Sequence, residues 1–303
     1  MDKEKKAIER LKLASNMSLK HYGKPLVCTY SGGKDSDVML ELFRRSGIPF
    51  EASHSHTTAD APQTVYHIRN VFKELESEGI KCSIDYHIQP DGHAVAMWSL
   101  IPKKKMPPTR LVRYCCSELK ESSCRSRMIA TGVRWGESSS RKRREAYEAI
   151  GHTQKDGIFV SDEKMLLSDS DERRRLFERC EIKAATVVNP IIDWTGKDIW
   201  EFIRQEHLSV NTLYQCGYDR VGCVGCPMAG KRIREKEFAD FPKYKEAYIK
   251  AFEKMLEVRK ASGLETKWKT GEEVFRWWIE DDTILGQITL KEWMGNSTEE
   301  GKK

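Results

Sequence analysis

The stretch Thr29-Tyr30-Ser31-Gly32-Gly33-Lys34-Asp35-Ser36 decides the fold of this chain. It follows a short apolar run and precedes a segment with apolar residues at helical spacing, which predicts a strand, a tight loop and a helix. Two adjacent glycines allow the backbone to turn with positive φ and leave room for a ligand close to the main chain. Successive N–H groups in such a loop, together with the donors at the start of the helix, bind anions. The stretch therefore predicts a phosphate-binding loop.

The side chains of this loop suit the same chemistry. Lys34 adds a mobile cation, and Ser31 and Ser36 add hydroxyl groups. The loop is not a Walker A sequence, because Lys34 follows two adjacent glycines and precedes an aspartate. A Gly-Gly pair is usually only a turn, but the flanking strand and helix favour phosphate binding. We expect Gly33→Val to abolish nucleotide binding, since a branched Cβ would intrude on the phosphate path and disfavour positive φ.

Strand-like and helix-like segments alternate through the first two thirds of the chain. This alternation predicts an α/β fold, a parallel sheet with helices on both faces, with the loop 31–36 at the carboxyl edge of the sheet. The predicted strands are 26–30, 50–57, 81–88, 129–133 and 185–188, and the predicted helices are 35–46, 61–78 and 117–128.

The chain is expected to have three parts. These are an N-terminal helix over 1–23, the α/β domain over 24–190, and a helical C-terminal lobe over 191–303. Prolines and a run of lysines predict a loop or lid over 90–114, and the charge-dense segment 136–180 is expected to be partly mobile.

Composition limits the function classes. No run of 18 apolar residues occurs, and the first residues lack the apolar segment of a secretory signal, so a cytoplasmic location without a membrane is expected. The net charge of +6 falls short of a nucleic-acid-binding signature and fits an anionic substrate equally well. In a reducing compartment, clustered cysteines among the nine are expected to be metal ligands rather than disulfides.

Four cysteines form two candidate half-sites. Cys115 and Cys116 are adjacent, and Cys223 and Cys226 form a Cys-x-x-Cys knuckle in which neighbouring glycines free the backbone. Four thiolates can hold a structural zinc ion or a [4Fe–4S] cluster, or the cysteines can be buried thiols in a turn. Cys216 is a reserve ligand, because it lies close upstream of the knuckle.

Several basic and imidazole groups are further candidates. Arg134 follows a predicted strand and can bind phosphate oxygens bidentately, whereas the run Arg141–Arg144 can equally be a solvated face. His54 and His56 alternate on a predicted strand near the carboxyl edge, where a structural role is the more common one. Asp60 can assist a Mg²⁺ site or be a solvated loop residue.

Ser31 to Ser36 resemble the PP-loop of the ATP pyrophosphatase superfamily, Ser-Gly-Gly-x-Asp-Ser, at every fixed position. The resemblance implies ATP and Mg²⁺ as cofactors, cleavage between the α and β phosphates, and adenylation of an acceptor. It implies nucleotide binding by the whole loop, and we add Arg134 as a candidate binding group. The expected catalytic residues are Lys34, Asp35, Ser36 and Arg134.

The paired cysteines upstream of a Cys-x-x-Cys knuckle resemble the cluster-binding pattern of the phosphoadenosine phosphosulfate (PAPS) reductase superfamily. The segments 131–138, 190–195 and 213–223 look like further family segments. This resemblance implies a [4Fe–4S] cluster held by Cys115, Cys116, Cys223 and Cys226, with Zn²⁺ as the alternative.

Two departures point away from the reductases. The loop has the full pyrophosphatase form, and no cysteine follows Cys226 in this sequence to act as their nucleophilic thiol. Both departures point towards the branch that is similar to the Dnd-type ATP pyrophosphatase of DNA phosphorothioation, and this resemblance implies ATP-driven sulfur transfer. A cysteine desulfurase or thiol donor and a nucleic-acid acceptor are candidate partners. The alternatives are a sulfonucleotide reductase that uses a partner's thiol and a zinc-stapled nucleotide- or nucleic-acid-binding module.

Overall fold

The computed structural model describes residues 2–88, 92–120, 124, 127–137, 141–150, 166–167 and 185–280. The chain divides into two compact units. The first unit comprises Met1–Met97 and Arg113–Cys223, and the second unit comprises Trp98–Val112 and Val224–Lys303. These bounds differ from the division expected at residues 23 and 190, since the first unit includes the N-terminal helix and continues to Cys223. Whether the expected parts fold independently stays a prediction.

The first unit is built on a seven-stranded sheet with the order β3-β2-β1-β4-β7-β5-β6. The five strands from β3 to β7 in this order are parallel, which confirms the predicted α/β fold with a parallel sheet. The strands are β1 (Leu26–Thr29), β2 (Phe50–Ser55), β3 (Cys82–Asp85), β4 (Met128–Ala130), β5 (Tyr147–Ile150), β6 (Leu166–Leu167) and β7 (Ala185–Val188).

The helices of the chain are α1 (Lys3–Tyr22), α2 (Lys34–Ser46), α3 (Pro62–Ser77), α4 (Met97–Lys104), α5 (Tyr114–Leu119), α6 (Gly196–Gln205), α7 (Lys231–Asp240), α8 (Pro242–Ala261) and α9 (Gly271–Ile279). Helix α2 follows the predicted pattern closely. Its apolar residues Val38, Met39, Leu42 and Phe43 are buried, and Gly47 ends it in the left-handed conformation.

Helix α1 is tied to the first unit by a buried charge. The Arg10 guanidinium donates to the carbonyl of Pro190 at 2.9 Å and to Asp193 Oδ1 at 2.8 Å. Burial pushes the pKa of Asp193 upward, but the hydrogen bond and charge of Arg10 outweigh it and hold this pKa below its usual value. The N-terminal helix is thus anchored to the segment that follows β7.

Several predicted boundaries need correction. The segment 90–114 is not only a loop, because α4 lies within it and buries Met97, Leu100 and Ile101 at helical spacing. The helix predicted over 117–128 begins earlier, at Tyr114, and its described part ends at Leu119. The strand predicted over 129–133 is β4, over 128–130.

The sheet also gains two strands that were not predicted. Strand β5 pairs antiparallel with β7, and β6 pairs antiparallel with β5, so the sheet is not parallel throughout. Both strands lie in the charge-dense segment 136–180. Residues 138–140, 151–165 and 168–180 of that segment lie outside the described residues.

The second unit is helical, as predicted for the C-terminal part, and has an aromatic core. The indole of Trp278 lies 4.6 Å from the ring of Tyr248 and 5.4 Å from that of Phe252, measured between centroids. Its Nε1 donates to the carbonyl of Pro108 at 2.6 Å, so α9 is fixed to the segment after α4. No helix in the described part of the chain is long and apolar enough to cross a membrane.

Candidate nucleotide and metal sites

The loop 31–36 connects β1 to α2 at the carboxyl edge of the parallel strands, as predicted. Gly32 has φ of +71°, and Gly33, with φ of −102°, is the N-cap of α2. The Ser36 hydroxyl accepts from the Gly33 N–H at 3.1 Å and donates to the Gly33 carbonyl at 2.7 Å. The side chain of Ser36 therefore holds the turn that directs the start of α2.

The structure corrects the role expected of Gly33. A Cβ on Gly33 would lie 3.5 Å from the Tyr214 hydroxyl, which is ordinary contact, and the backbone there is extended. Gly32 is the constrained glycine, because its φ is positive and a Cβ would approach Ile68 Cγ1 to 2.8 Å. Adjacent glycines give no sequence signal as to which of the two takes the left-handed conformation.

Two cations meet the carboxylate of Asp35. Lys34 Nζ lies 3.0 Å from Asp35 Oδ2, and Arg134 Nε lies 2.6 Å from Asp35 Oδ1. All three side chains are largely buried, with exposed fractions of 11%, 8% and 18% for Lys34, Arg134 and Asp35. The structure thus brings Arg134 to the loop from the segment after β4. Close approach is possible because a Cβ on Gly132 would already lie 3.3 Å from the Asp35 backbone.

Two residues that sequence reasoning did not select complete the loop. The Tyr214 hydroxyl accepts from the Lys34 N–H at 2.9 Å, and Asn211 Nδ2 donates to the Gly32 carbonyl at 3.2 Å. Asn211 also contacts the hydroxyl of Thr64 at 3.0 Å. Burial raises the pKa of Tyr214, so its phenol is neutral and can be displaced by an anion without loss of a charge. The family-like segment 213–223 was the signal that could have pointed to Tyr214.

A buried carboxylate lies in the first turn of α2. Tyr30 donates to Asp37 Oδ1 in a very short hydrogen bond, and His67 Nε2 lies 2.9 Å from the same oxygen. Burial, and then the negative charge of Asp37, raise the pKa of Tyr30 well above its usual value. Negative charge at this position also favours the helix N-terminus, so this cluster fixes the orientation of α2.

His54, His56 and Asp60 come together beside the loop. Asp60 Oδ2 lies 4.0 Å from His54 Nε2 and 3.6 Å from His56 Nδ1, and it accepts from the Thr57 N–H at 2.9 Å. Burial, above all, lowers the pKa of His54, so its imidazole is neutral at pH 7. These are the three candidate ligands that lie within 4.8 Å of one another among the described residues.

Three of the predicted cysteine ligands belong to the first unit. Cys115 and Cys116 lie in the first turn of α5, and Cys223 is buried, with Thr57 Oγ1 3.3 Å from its sulfur. These three sulfurs are not a mutually close group within 4.8 Å among the described side chains. A tetrahedral zinc ion with Zn–S bonds of about 2.3 Å would need sulfurs only about 3.8 Å apart. A four-iron cube spaces its thiolates more widely.

The fourth predicted ligand, Cys226, belongs to the second unit, where the knuckle is firmly packed. Gly225 has φ of +72°, and a Cβ there would lie 2.5 Å from the ring of Phe238. The Gly225 N–H donates to Glu237 Oε2 at 2.7 Å, and the Val224 carbonyl accepts from the Tyr248 hydroxyl at 3.0 Å. The reserve ligand Cys216 is exposed.

Of the basic run, Arg141 donates to Glu137, whose carboxylate also accepts from the Arg134 N–H at 2.9 Å. Arg141 is more than a third exposed. It therefore supports the segment that carries Arg134 and does not itself reach Asp35 in any contact described.

Curated relatives are distant in sequence. An uncharacterized protein of Methanocaldococcus jannaschii is 24% identical over 268 residues, which cover 86% of this chain and 56% of that protein. An adenosine 5'-phosphosulfate reductase of Anoxybacillus flavithermus is 25% identical over 210 residues, 68% of this chain and 74% of the relative. This chain thus spans little more than half the length of the archaeal relative.

Among solved structures, the chain is similar to the crystal structure of phosphoadenylyl-sulfate (PAPS) reductase from Candida auris in a phosphate complex. That structure has a TM-score of 0.43 and 16% identity, and the match covers 72% of this chain and 87% of the other. The sequence model of the phosphoadenosine phosphosulfate reductase domain matches residues 25–229, which include the loop 31–36, Arg134 and all four candidate cysteine ligands. The chain therefore belongs to the phosphoadenosine phosphosulfate reductase domain family.

Proposed function

We propose that this chain binds ATP at the loop 31–36 and cleaves it to AMP and pyrophosphate, activating an acceptor for sulfur transfer. The observation that carries the proposal is the pairing of Lys34 and Arg134 on Asp35 at the start of α2. Two cations beside a helix N-terminus suit a polyphosphate better than a single phosphate ester.

The backbone of the loop supports an anion at the same place. The Lys34 N–H is held by the neutral hydroxyl of Tyr214, a partner that a phosphate oxygen can replace. Gly32, with positive φ, and the extended Gly33 form the tight turn into α2, and the N-terminal dipoles of that helix favour an anion. Charge that builds on the leaving pyrophosphate would be offset by these dipoles and by Lys34 and Arg134.

Mg²⁺ fits this site because Asp35 offers carboxylate oxygens, the ligand type that the ion prefers. When bound, Mg²⁺ would neutralise phosphate oxygens and aid departure of the pyrophosphate. Asp35 is also the anion that Lys34 and Arg134 share. Engagement of Asp35 by a cation would free both basic groups to turn to the phosphates.

The cysteines supply the second part of the proposal. We assign Cys115, Cys116, Cys223 and Cys226 as ligands of a [4Fe–4S] cluster, with Cys216 in reserve and Zn²⁺ as the alternative metal. Thiolates suit both metals, a single zinc ion and a four-iron cluster. When bound, a cluster would supply iron–sulfur chemistry for the transfer. Sulfur would replace AMP on the adenylated acceptor, for which nucleic acid is a candidate, and a cysteine desulfurase or thiol donor is a candidate sulfur source.

The test is product analysis with anaerobically purified protein. We expect labelled pyrophosphate from ATP and stoichiometric iron, and we expect Lys34→Met to lower pyrophosphate release at least tenfold. Lys81→Met, on an exposed lysine outside the site, is the matched control. Sulfite from PAPS without pyrophosphate from ATP would instead show a reductase, and zinc without either product would show a binding module.

Calorimetry separates the nucleotides directly. We expect ATP to bind more tightly than PAPS, because the two cations and the loop N–H groups accommodate a pyrophosphate leaving group. Tight binding of PAPS with no binding of ATP would overturn the proposal.

A further inference from the structure

His54, His56 and Asp60 form a set of metal-ligand types beside the loop. His54 lies near the carboxyl end of β2, and His56 directly follows that strand. The His56 N–H donates to the Asp85 carbonyl at 2.9 Å, so the extended pairing continues to His56 and the two side chains project on the same side. Asp60 precedes α3, and its carboxylate is oriented by the Thr57 N–H at 2.9 Å. Two imidazoles and a carboxylate are the ligands of many divalent transition-metal sites.

The tautomer of His54 is fixed by its backbone contact. Its Nδ1 lies 2.9 Å from the Tyr30 carbonyl, which can only accept, so Nδ1 carries the proton. The lone pair is therefore on Nε2, the atom that lies 4.0 Å from Asp60 Oδ2. A hydrogen bond from one imidazole nitrogen to a backbone carbonyl is the arrangement that orients metal-bound histidines.

His54 Nε2 is a buried acceptor without a hydrogen-bond partner among the described residues. The residue is only 6% exposed, so water does not readily satisfy this atom. A buried polar atom left unpaired costs about 1–3 kcal/mol. His54 Nε2 is thus a buried acceptor that faces the Asp60 carboxylate. A cation bound between them would remove the free-energy cost of leaving this acceptor unpaired.

The three candidate ligand atoms lie within 4.8 Å of one another, and two of their separations approach those of a metal site. Zinc bonds to nitrogen and oxygen of about 2.0–2.2 Å, in tetrahedral geometry, separate the ligand atoms by about 3.3–3.6 Å. His56 Nδ1 is already 3.6 Å from Asp60 Oδ2, and the separation of 4.0 Å to His54 needs to shorten by only a few tenths of an ångström.

We propose that His54, His56 and Asp60 bind a divalent transition-metal ion of the zinc class. This ligand set differs from the four cysteines, although it lies beside one of them, since Cys223 Sγ is 3.9 Å from Asp60 Oδ1. Three protein ligands leave at least one coordination position for water or an anionic ligand. Both histidines line a cleft with Val65, Ile68, Arg69 and Tyr86, and the side chain of His56 is 24% exposed, so such a ligand can approach from the His56 side. The proposal does not depend on ATP cleavage.

The experiment loads the full chain with Zn²⁺ under anaerobic conditions, removes unbound metal, and measures zinc by mass spectrometry and its ligands by zinc-edge X-ray absorption. We expect about one zinc ion with nitrogen and oxygen scatterers at about 2.0–2.2 Å. His56→Ala and Asp60→Asn should each weaken zinc retention at least tenfold. The matched control, His207→Asn, replaces an exposed histidine and should retain zinc.

The X-ray absorption of the unmutated chain decides the matter even if a variant fails to fold. A shell dominated by sulfur at about 2.3 Å, with zinc lost in Cys226→Ser and kept in His56→Ala, would assign the ion to the cysteines and overturn the proposal. Failure of the unmutated chain to retain zinc would overturn it too.

Discussion

The loop 31–36 in the first unit and the knuckle 223–227 both depend on a glycine with positive φ, yet different forces hold them. The loop around Gly32 is held by hydrogen bonds and ion pairs that Ser36, Asp35 and their partners make. Gly225 is packed against aromatic rings, of which Phe238 is the closest. The first arrangement keeps charged groups ready to exchange partners, whereas the second keeps a backbone shape rigid.

The difference indicates what each region is suited to. Ion pairs and hydrogen bonds to neutral phenols can be exchanged for contacts with a ligand at small net cost. An aromatic core cannot rearrange in this way without opening cavities. We therefore expect ligand-dependent change in the loop and a permanent structural role for the core behind the knuckle.

The largest effect should follow removal of the aromatic core. Trp278→Ala deletes a buried indole and should lower the stability of the second unit by about 3–5 kcal/mol. Urea unfolding and amide hydrogen exchange of α8 and α9 measure this loss. Trp135→Ala, at an exposed indole, is the matched control, and equal losses in the two variants would contradict the comparison.

The charge network of the first unit should be sensitive to acid. Since the pKa of Asp193 is below its usual value, its ionised form contributes stability above about pH 4, which is lost as the pH falls through the lower folded value. Asp193→Asn should lower the free energy of unfolding by about 1–3 kcal/mol at pH 7 and by much less at pH 3. Urea unfolding at both values measures this, with Asp240→Asn, in an exposed ion pair, as the control. A cost independent of pH would contradict the assignment.

Gly32 and Gly33 provide a matched pair in the loop. Gly32→Ala should lower the free energy of unfolding by about 1–2 kcal/mol, because the φ of residue 32 is positive. Contact of the added Cβ with Ile68 should also shift the loop and lower ATP affinity at least tenfold. Gly33→Ala meets only ordinary contacts and should leave the stability nearly unchanged. Thermal unfolding and calorimetry with ATP check both. A greater loss of stability in Gly33→Ala than in Gly32→Ala would show that Gly33, and not Gly32, is the constrained glycine.

The smallest effect should come from Tyr214→Phe. Loss of one hydrogen bond to the Lys34 N–H should cost about 0.5–1.5 kcal/mol. ATP affinity should not fall, because the phosphate would no longer have to replace the hydroxyl. Calorimetry tests this, and Tyr66→Phe, on an exposed ring, is the control. Weaker ATP binding in Tyr214→Phe would show that the hydroxyl contacts the nucleotide, and does not merely occupy the place of a phosphate oxygen.

The loop was predictable from sequence because its strand, glycines and helix are contiguous. Local pattern also indicated Arg134, since it follows a strand of the same sheet. Asn211 and Tyr214 were not predictable in this way, because 179 and 180 residues separate them from the loop residues they contact. No local pattern records a contact of that range.

The errors have local causes. Pro102 and the lysines after it obscured α4, although Met97, Leu100 and Ile101 keep helical spacing. Strand β5 lies in a charged segment, and antiparallel strands, unlike buried parallel ones, need no continuous apolar run. The burial of His54 likewise depends on neighbouring strands. The sequence could therefore suggest His54 and Asp60 as candidate site residues, but it could not show that the two side chains lie close together.

The long separation between Lys34 and Tyr214 has a consequence for synthesis of the protein. The ribosome releases the loop, α2 and β2 long before Asn211 and Tyr214 emerge. Until then the start of α2 has neither the Tyr214 hydroxyl on the Lys34 N–H nor the Asn211 amide on the Gly32 carbonyl. Contacts of such range form late in folding. A nascent chain stalled before residue 211 should therefore present an open anion site that is available to phosphates in the cell before the domain is complete.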